Sequence, residues 1–98
     1  MNTLNKIREL KSEISRGFEF RVDSESVLFV NPDLYNQILI HARVLGLASI
    51  VVLDNTGGPK WLNLDDQLVD RLIETYNSKS LELFHLHAEF KNDQETKN

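Results

Sequence analysis

Apolar positions along the chain fall into blocks with different periods, and those periods predict the elements. Leu4, Ile7, Leu10 and Ile14 recur at helical spacing and predict a first helix over residues 3–16. Thr3 suits its start and Gly17 its end. Phe18-Glu19-Phe20-Arg21-Val22 alternates strictly, which predicts a half-buried strand. Val27-Leu28-Phe29-Val30 follows four polar residues later, so the two runs read as an antiparallel hairpin.

Asn31-Pro32-Asp33 is the clearest punctuation. Asparagine suits a helix cap, proline the first helical position and aspartate the first turn. The second helix is expected to run to Leu45 and stop at Gly46. Leu34, Ile38, His41, Ala42 and Leu45 share its main apolar face. Tyr35 and Leu39 widen that face on one flank, and Ile40 and Val44 occupy the opposite flank. Such a helix carries more apolar surface than a single sheet layer covers.

Ala48 to Leu53 is a continuous β-branched run and reads as a central strand. Residues 54–59 form a glycine-rich loop, and Lys60-Trp61-Leu62 reads as a short strand. Asn63 is the expected cap of a third helix. Its apolar half is Leu64, Leu68, Val69, Leu72, Ile73 and Tyr76, and it ends near Asn77-Ser78. Phe84, Leu86, Ala88 and Phe90 alternate with Leu83, His85, His87 and Glu89, which reads as a last strand. A helix is the alternative there. The polar residues 91–98 read as a frayed tail behind a single domain over residues 1–90. The predicted class is α+β in the order α-β-β-α-β-(β)-α-β. It has a small mixed or mostly antiparallel sheet with helices packed on at least one face.

Composition narrows the function. With 98 residues a second core is not expected. There is no cysteine, so disulfides, thiolate metal sites and cysteine nucleophiles are all excluded. No apolar run is long enough to span a bilayer. Nothing at the start reads as a secretory leader, so a cytoplasmic location is expected. Eleven basic residues against fifteen acidic ones give a net charge of −4, all of it in residues 50–98. A nucleic-acid binder relies on a basic excess to neutralise phosphates, so nucleic acid is a disfavoured partner. The exception would be a patch built from Lys6, Arg8, Lys11 and Arg16 with Lys60 and Trp61.

Three chemical candidates stand out. His85-x-His87-x-Glu89 on a strand would put two imidazoles and a carboxylate on one face, the ligand set of a zinc or iron module or a metal-dependent enzyme. Neighbours two apart on a strand diverge by about 7 Å, so such a site needs a further ligand, and His41 is the only other histidine. The plainer reading is a solvent-facing edge of a strand, with no metal. His41 itself reads as a neutral side chain bonded to a carbonyl. In the loop from Asn55 to Trp61, two glycines free the backbone for an anion, and Trp61 beside Lys60 could anchor a partner. The plainer reading folds Trp61 into the core. No nucleophile elbow and no His-Glu-x-x-His is present, and nothing else asks for catalysis or a cofactor. The sequence therefore points to a small acidic protein that binds another protein as adaptor, inhibitor or regulatory subunit. Lys60, Trp61, Leu39, Ile40 and Val44 form its expected contact set. A homodimer through the second helix or a sheet edge is a further expectation.

Overall fold

The computed structural model describes residues 3–54 and 56–96. Helix α1 spans Thr3–Arg16, strands β1 and β2 span Phe18–Arg21 and Val27–Val30, and helix α2 spans Pro32–Leu39. A π-helical turn, Ile40–Val44, extends α2. Strands β3 and β4 span Ser49–Leu53 and Pro59–Asn63, and helix α3 runs over Asp66–Thr96. The class is α+β, as the patterning predicts, and each hairpin is followed by a helix. The sheet component is two separate antiparallel pairs, β1–β2 and β3–β4.

The buried core is where both hairpins and two helices meet. Phe18, Phe20, Leu28 and Val30 come from the first hairpin, Val52 and Leu62 from the second, Ile38 from α2, and Leu68, Val69 and Leu72 from α3. Burial of that apolar surface is the main force holding the unit together. Among the described residues the hairpins do not pair with each other. Arg71 of α3 closes one gap, donating to the backbone carbonyls of Arg21 at 3.2 Å and Val22 at 3.0 Å while lying over the Phe20 ring.

The α2 start forms as its residues predict. Asn31 is extended, with φ −95° and ψ 171°, and its side-chain oxygen accepts from the Leu34 N–H at 2.7 Å. The other helix start corrects the expectation. Asn63 lies in β4 opposite Ser49, and the cap is Asp65, whose carboxylate accepts from the Leu68 N–H at 2.7 Å.

The largest correction concerns residues 81–90, which continue α3 as helix and form no strand. No glycine or proline interrupts Asn77-Ser78-Lys79-Ser80, so nothing breaks the helix there. Leu72, Tyr76, Lys79, Leu83, Leu86 and Phe90 then fall at alternating spacings of four and three along one seam. Helix α1 packs antiparallel along α3: Lys6 faces Glu82 at 3.9 Å, while Glu13, seven residues later, pairs with Lys79. The stripe of α1, with Ile7 and Leu10 buried, thus finds its cover in a second helix. At about 1.5 Å per residue α3 is roughly 46 Å long, most of the 55 Å long axis of the molecule. The backbone of residues 91–96 belongs to this helix. No helix among the described residues is long and apolar enough to cross a membrane.

Candidate protein-binding face

The β3–β4 hairpin decides which side chains reach solvent. Its register pairs Ile50 with Leu62, Val51 with Trp61, Val52 with Lys60 and Leu53 with Pro59. Side chains alternate across a strand, so Val52 and Leu62 turn to the core. Val51, Leu53, Pro59 and Trp61 turn together to the opposite side. Trp61 is 69% exposed, Leu53 67% and Val51 53%. Trp61 therefore sits on the surface and is not folded into the core.

The hydrogen-bond phase of the hairpin is fixed at both ends. The Leu64 N–H donates to the Ala48 carbonyl, and the Asp54 N–H donates to the Gly58 carbonyl, each at 2.8 Å. In an antiparallel ladder bonded and non-bonded pairs alternate, so 50–62 and 52–60 exchange the bonds. Val51 and Trp61 are then a non-bonded pair, the kind whose side chains lie closest. Pro59 falls at a non-bonded position as well, where its missing N–H costs the ladder nothing.

The loop at the hairpin tip is closed on itself. The Asp54 carboxylate accepts from the Thr56 N–H at 2.9 Å, the Thr56 hydroxyl at 2.7 Å and the Gly58 N–H at 2.9 Å. Gly57, at φ +85°, donates to the Asp54 carbonyl. These N–H groups serve the carboxylate and backbone carbonyl of Asp54, so they form no cradle for an external anion. The Thr56 hydroxyl and the Gly58 and Thr56 amides hold the Asp54 carboxyl below its ordinary 3.8. Because the folded value is the lower one, loop closure contributes stability above that pH and loses it as pH falls through the folded value. Asp54→Ala is expected to lower the urea midpoint at neutral pH. The difference from the parent should shrink below about pH 4, the ordinary carboxylate range. A difference that stays constant with pH would contradict this assignment.

Lys60 and Trp61, expected as one contact pair, point to opposite sides of β4. The Lys60 ammonium donates to the Ser26 hydroxyl, tying the two hairpins together. It also helps lower the Asp23 and Asp54 carboxyls, although hydrogen bonds are the larger cause in both. A cleft of about 230 Å³ lies between the hairpins, floored by Val22, Leu28, Val52 and Leu62, with Lys60 and Asp54 at its rim.

A second apolar cluster sits at the end of α2. Ile40 is 49% exposed and Val44 75%, as their flank on the helix predicts. Leu39 departs from the expected contact set: it is half-buried and packs against the core with Leu34, Tyr35 and Ala42. Leu45 departs the other way. An α-helical period puts it beside Ile38, but the π turn, in which the Leu45 N–H reaches back to the Ile40 carbonyl, rephases it. Leu45 is 58% exposed, and Leu47 beyond it is 45%. Arg43 pins the turn to α3 through Asp70 at 2.6 Å and Asp66 at 3.7 Å. His41 is half-buried, and its Nδ1 donates to the Gln37 carbonyl at 2.6 Å, the carbonyl bond expected of it.

The histidine motif does not assemble. On a helix, residues two apart are separated by about 200° around the axis, so His85 and His87 of α3 point away from each other. Among the described residues no cluster of three His, Asp or Glu side chains could hold a metal ion. The cations of α1 are partly engaged as well, Lys6 by Glu82. The chain matches no family model, no curated protein and no solved structure.

Val51 and Leu53 join this exposed apolar row, although the sequence alone does not single them out. A continuous β-branched run reads as a central strand, yet β3 belongs to a two-stranded sheet that buries Val52 and Leu62 on one face and leaves the other in solvent. The signal was available in the loop: a hairpin closed between Asp54 and Gly58 sets Val51 opposite Trp61.

Proposed function

We propose that this chain is a non-catalytic protein-binding module, an adaptor, inhibitor or regulatory subunit acting in the cytoplasm. Its principal contact surface is the outer face of β3–β4. The observation that carries this reading is the cross-strand row of Val51, Leu53, Pro59 and Trp61, all turned to solvent. An exposed apolar patch of this kind is costly in water and typically marks an interface. Tryptophan is prominent among the residues that dominate binding energy, because it buries a large area with few rotatable bonds. The cluster of Ile40, Val44, Leu45 and Leu47 is a second contact area on the same reading. Self-association of the chain belongs to this proposal too.

The test compares the full chain with Trp61→Asp as immobilised bait in extract of the source cell. Trp61 is exposed, so the variant should keep its circular dichroism and urea midpoint. The expected result is a partner retained in stoichiometric amount by the parent and bound roughly 30-fold or more weakly by the variant. Identical retention by both proteins would overturn the assignment of this face.

A further inference from the structure

Strand β3 carries a feature that side-chain exposure alone does not explain. The phase of the hairpin turns the N–H and C=O groups of Ser49, Val51 and Leu53 away from β4. Among the described residues no backbone hydrogen bond joins this edge to another strand. Native proteins guard such edges with charge, proline or a covering group, because an open edge is a template for pairing. The edges of β4 and β1 show those guards. β4 carries Pro59 and Lys60. β1 carries Glu19 and Arg21, and Arg71 covers its end by binding the Arg21 and Val22 carbonyls. β2 is uncharged, but by the same phase it turns out only Val27 and Phe29. β3, Ser-Ile-Val-Val-Leu, carries neither charge nor proline, and its Val51 and Leu53 are exposed.

We infer that β3 pairs antiparallel with β3 of a second copy about a two-fold axis at Val51. The edge is self-complementary in that arrangement. Ser49 meets Leu53 of the second copy, Val51 meets Val51, and Leu53 meets Ser49. All three residues already turn their N–H and C=O groups outward, so each pair exchanges two hydrogen bonds, six in all. A slip by one residue would bring inward-bonded groups to the edge and break the match. No charge lies on β3, so the pairing brings no like charges together in a chain of net charge −4. The result is a four-stranded sheet, β4–β3–β3–β4. Across its outer face Trp61, Val51, Val51 and Trp61 form one row, so two half-platforms become a single surface for the partner. This inference rests on the protein-binding reading above and says how that face is built. Five-residue pairing buries less than the roughly 1,200 Å² of a standard interface, so the dimer is concentration-dependent.

The experiment is sedimentation velocity of the full chain from micromolar to near-millimolar concentration, with amide hydrogen exchange by NMR across the same range. The expected result is a monomer–dimer equilibrium. The Ser49, Val51 and Leu53 amides should exchange roughly tenfold more slowly where about nine-tenths of chains are paired. Val51→Pro removes an outward N–H without breaking a bond of the β3–β4 ladder, and should leave the molecule monomeric throughout. Val51→Lys keeps that N–H but places two cations side by side, and should weaken dimerisation at least about tenfold. It serves as the second test if the proline disturbs β3. A strict monomer at the highest concentration would overturn the inference. So would a dimer in which those three amides stay unprotected. Retention of the partner by a monomeric Val51 variant, together with its loss in Trp61→Asp, would sink the shared platform and leave the binding face standing.

Discussion

Leu72→Ala is expected to cost about 3–5 kcal/mol of unfolding free energy. Leu72 is 1% exposed, in the turn of α3 that faces both hairpins and Ile38 of α2. Its truncation removes transfer energy and leaves a cavity that four converging elements cannot easily collapse into. A chain of this size is stabilised by only about 5–15 kcal/mol in total, so about a fifth or more of the margin disappears. At about 4–8 °C per kcal/mol, the melting midpoint should fall by roughly 12–40 °C. The matched control is Leu81→Ala, nine residues further along the same helix. Leu81 is 57% exposed, and its loss should change stability by no more than about 0.5 kcal/mol. Urea and thermal unfolding of both variants measure the contrast. Equal costs at the two positions would mean that the core does not lie where the burial places it.

That contrast also shows where the sequence was legible and where it was not. Helix α2 could be read closely because three residues at its start, Asn31, Pro32 and Asp33, each fit one position for an independent reason. The four strands could be read because their runs are short and bounded by polar turns. The end of α3 could not, because Phe84, Leu86, Ala88 and Phe90 satisfy a period of two while Leu83, Leu86 and Phe90 satisfy a helical one. What decides between them is tertiary. The stripe of α1 needs a partner, and the helical arrangement supplies it. Asn63 and Asp65 were equally good caps by residue type, and pairing of β4 through Asn63 left the role to Asp65. At the candidate face, the exposure of Ile40 and Val44 follows from the helical wheel alone. That of Leu45 needs the π turn, which no periodicity announces. Lys60 and Trp61 are neighbours in sequence and opposites in space, which follows once β4 is known to be a strand.

Gly17→Ala should be among the most damaging single substitutions outside the core, at about 2–4 kcal/mol. Gly17 ends α1, donates to the Glu13 carbonyl at 3.1 Å and turns the chain straight into β1. It does so at φ +132°, a conformation that side-chain-bearing residues rarely adopt. Space is short as well. An added methyl would lie 2.5 Å and 2.7 Å from atoms of the Phe29 ring and 2.8 Å from the Val30 carbonyl oxygen. The ring is half exposed and can swing aside, but the carbonyl belongs to β2 and sits next to the core. Gly46→Ala separates the two causes. Gly46 also has a positive φ, +67°, but nothing lies within 4 Å of an added methyl, so only the backbone term of about 1 kcal/mol applies. In the Gly17→Ala background, Phe29→Ala should recover part of the loss by removing the ring contact, and the carbonyl clash and the dihedral strain should keep the rest. Full recovery would assign the whole effect to the ring. No recovery would assign it to the backbone, and a Gly17 variant as mild as Gly46→Ala would show that the α1–β1 junction can relax around a side chain.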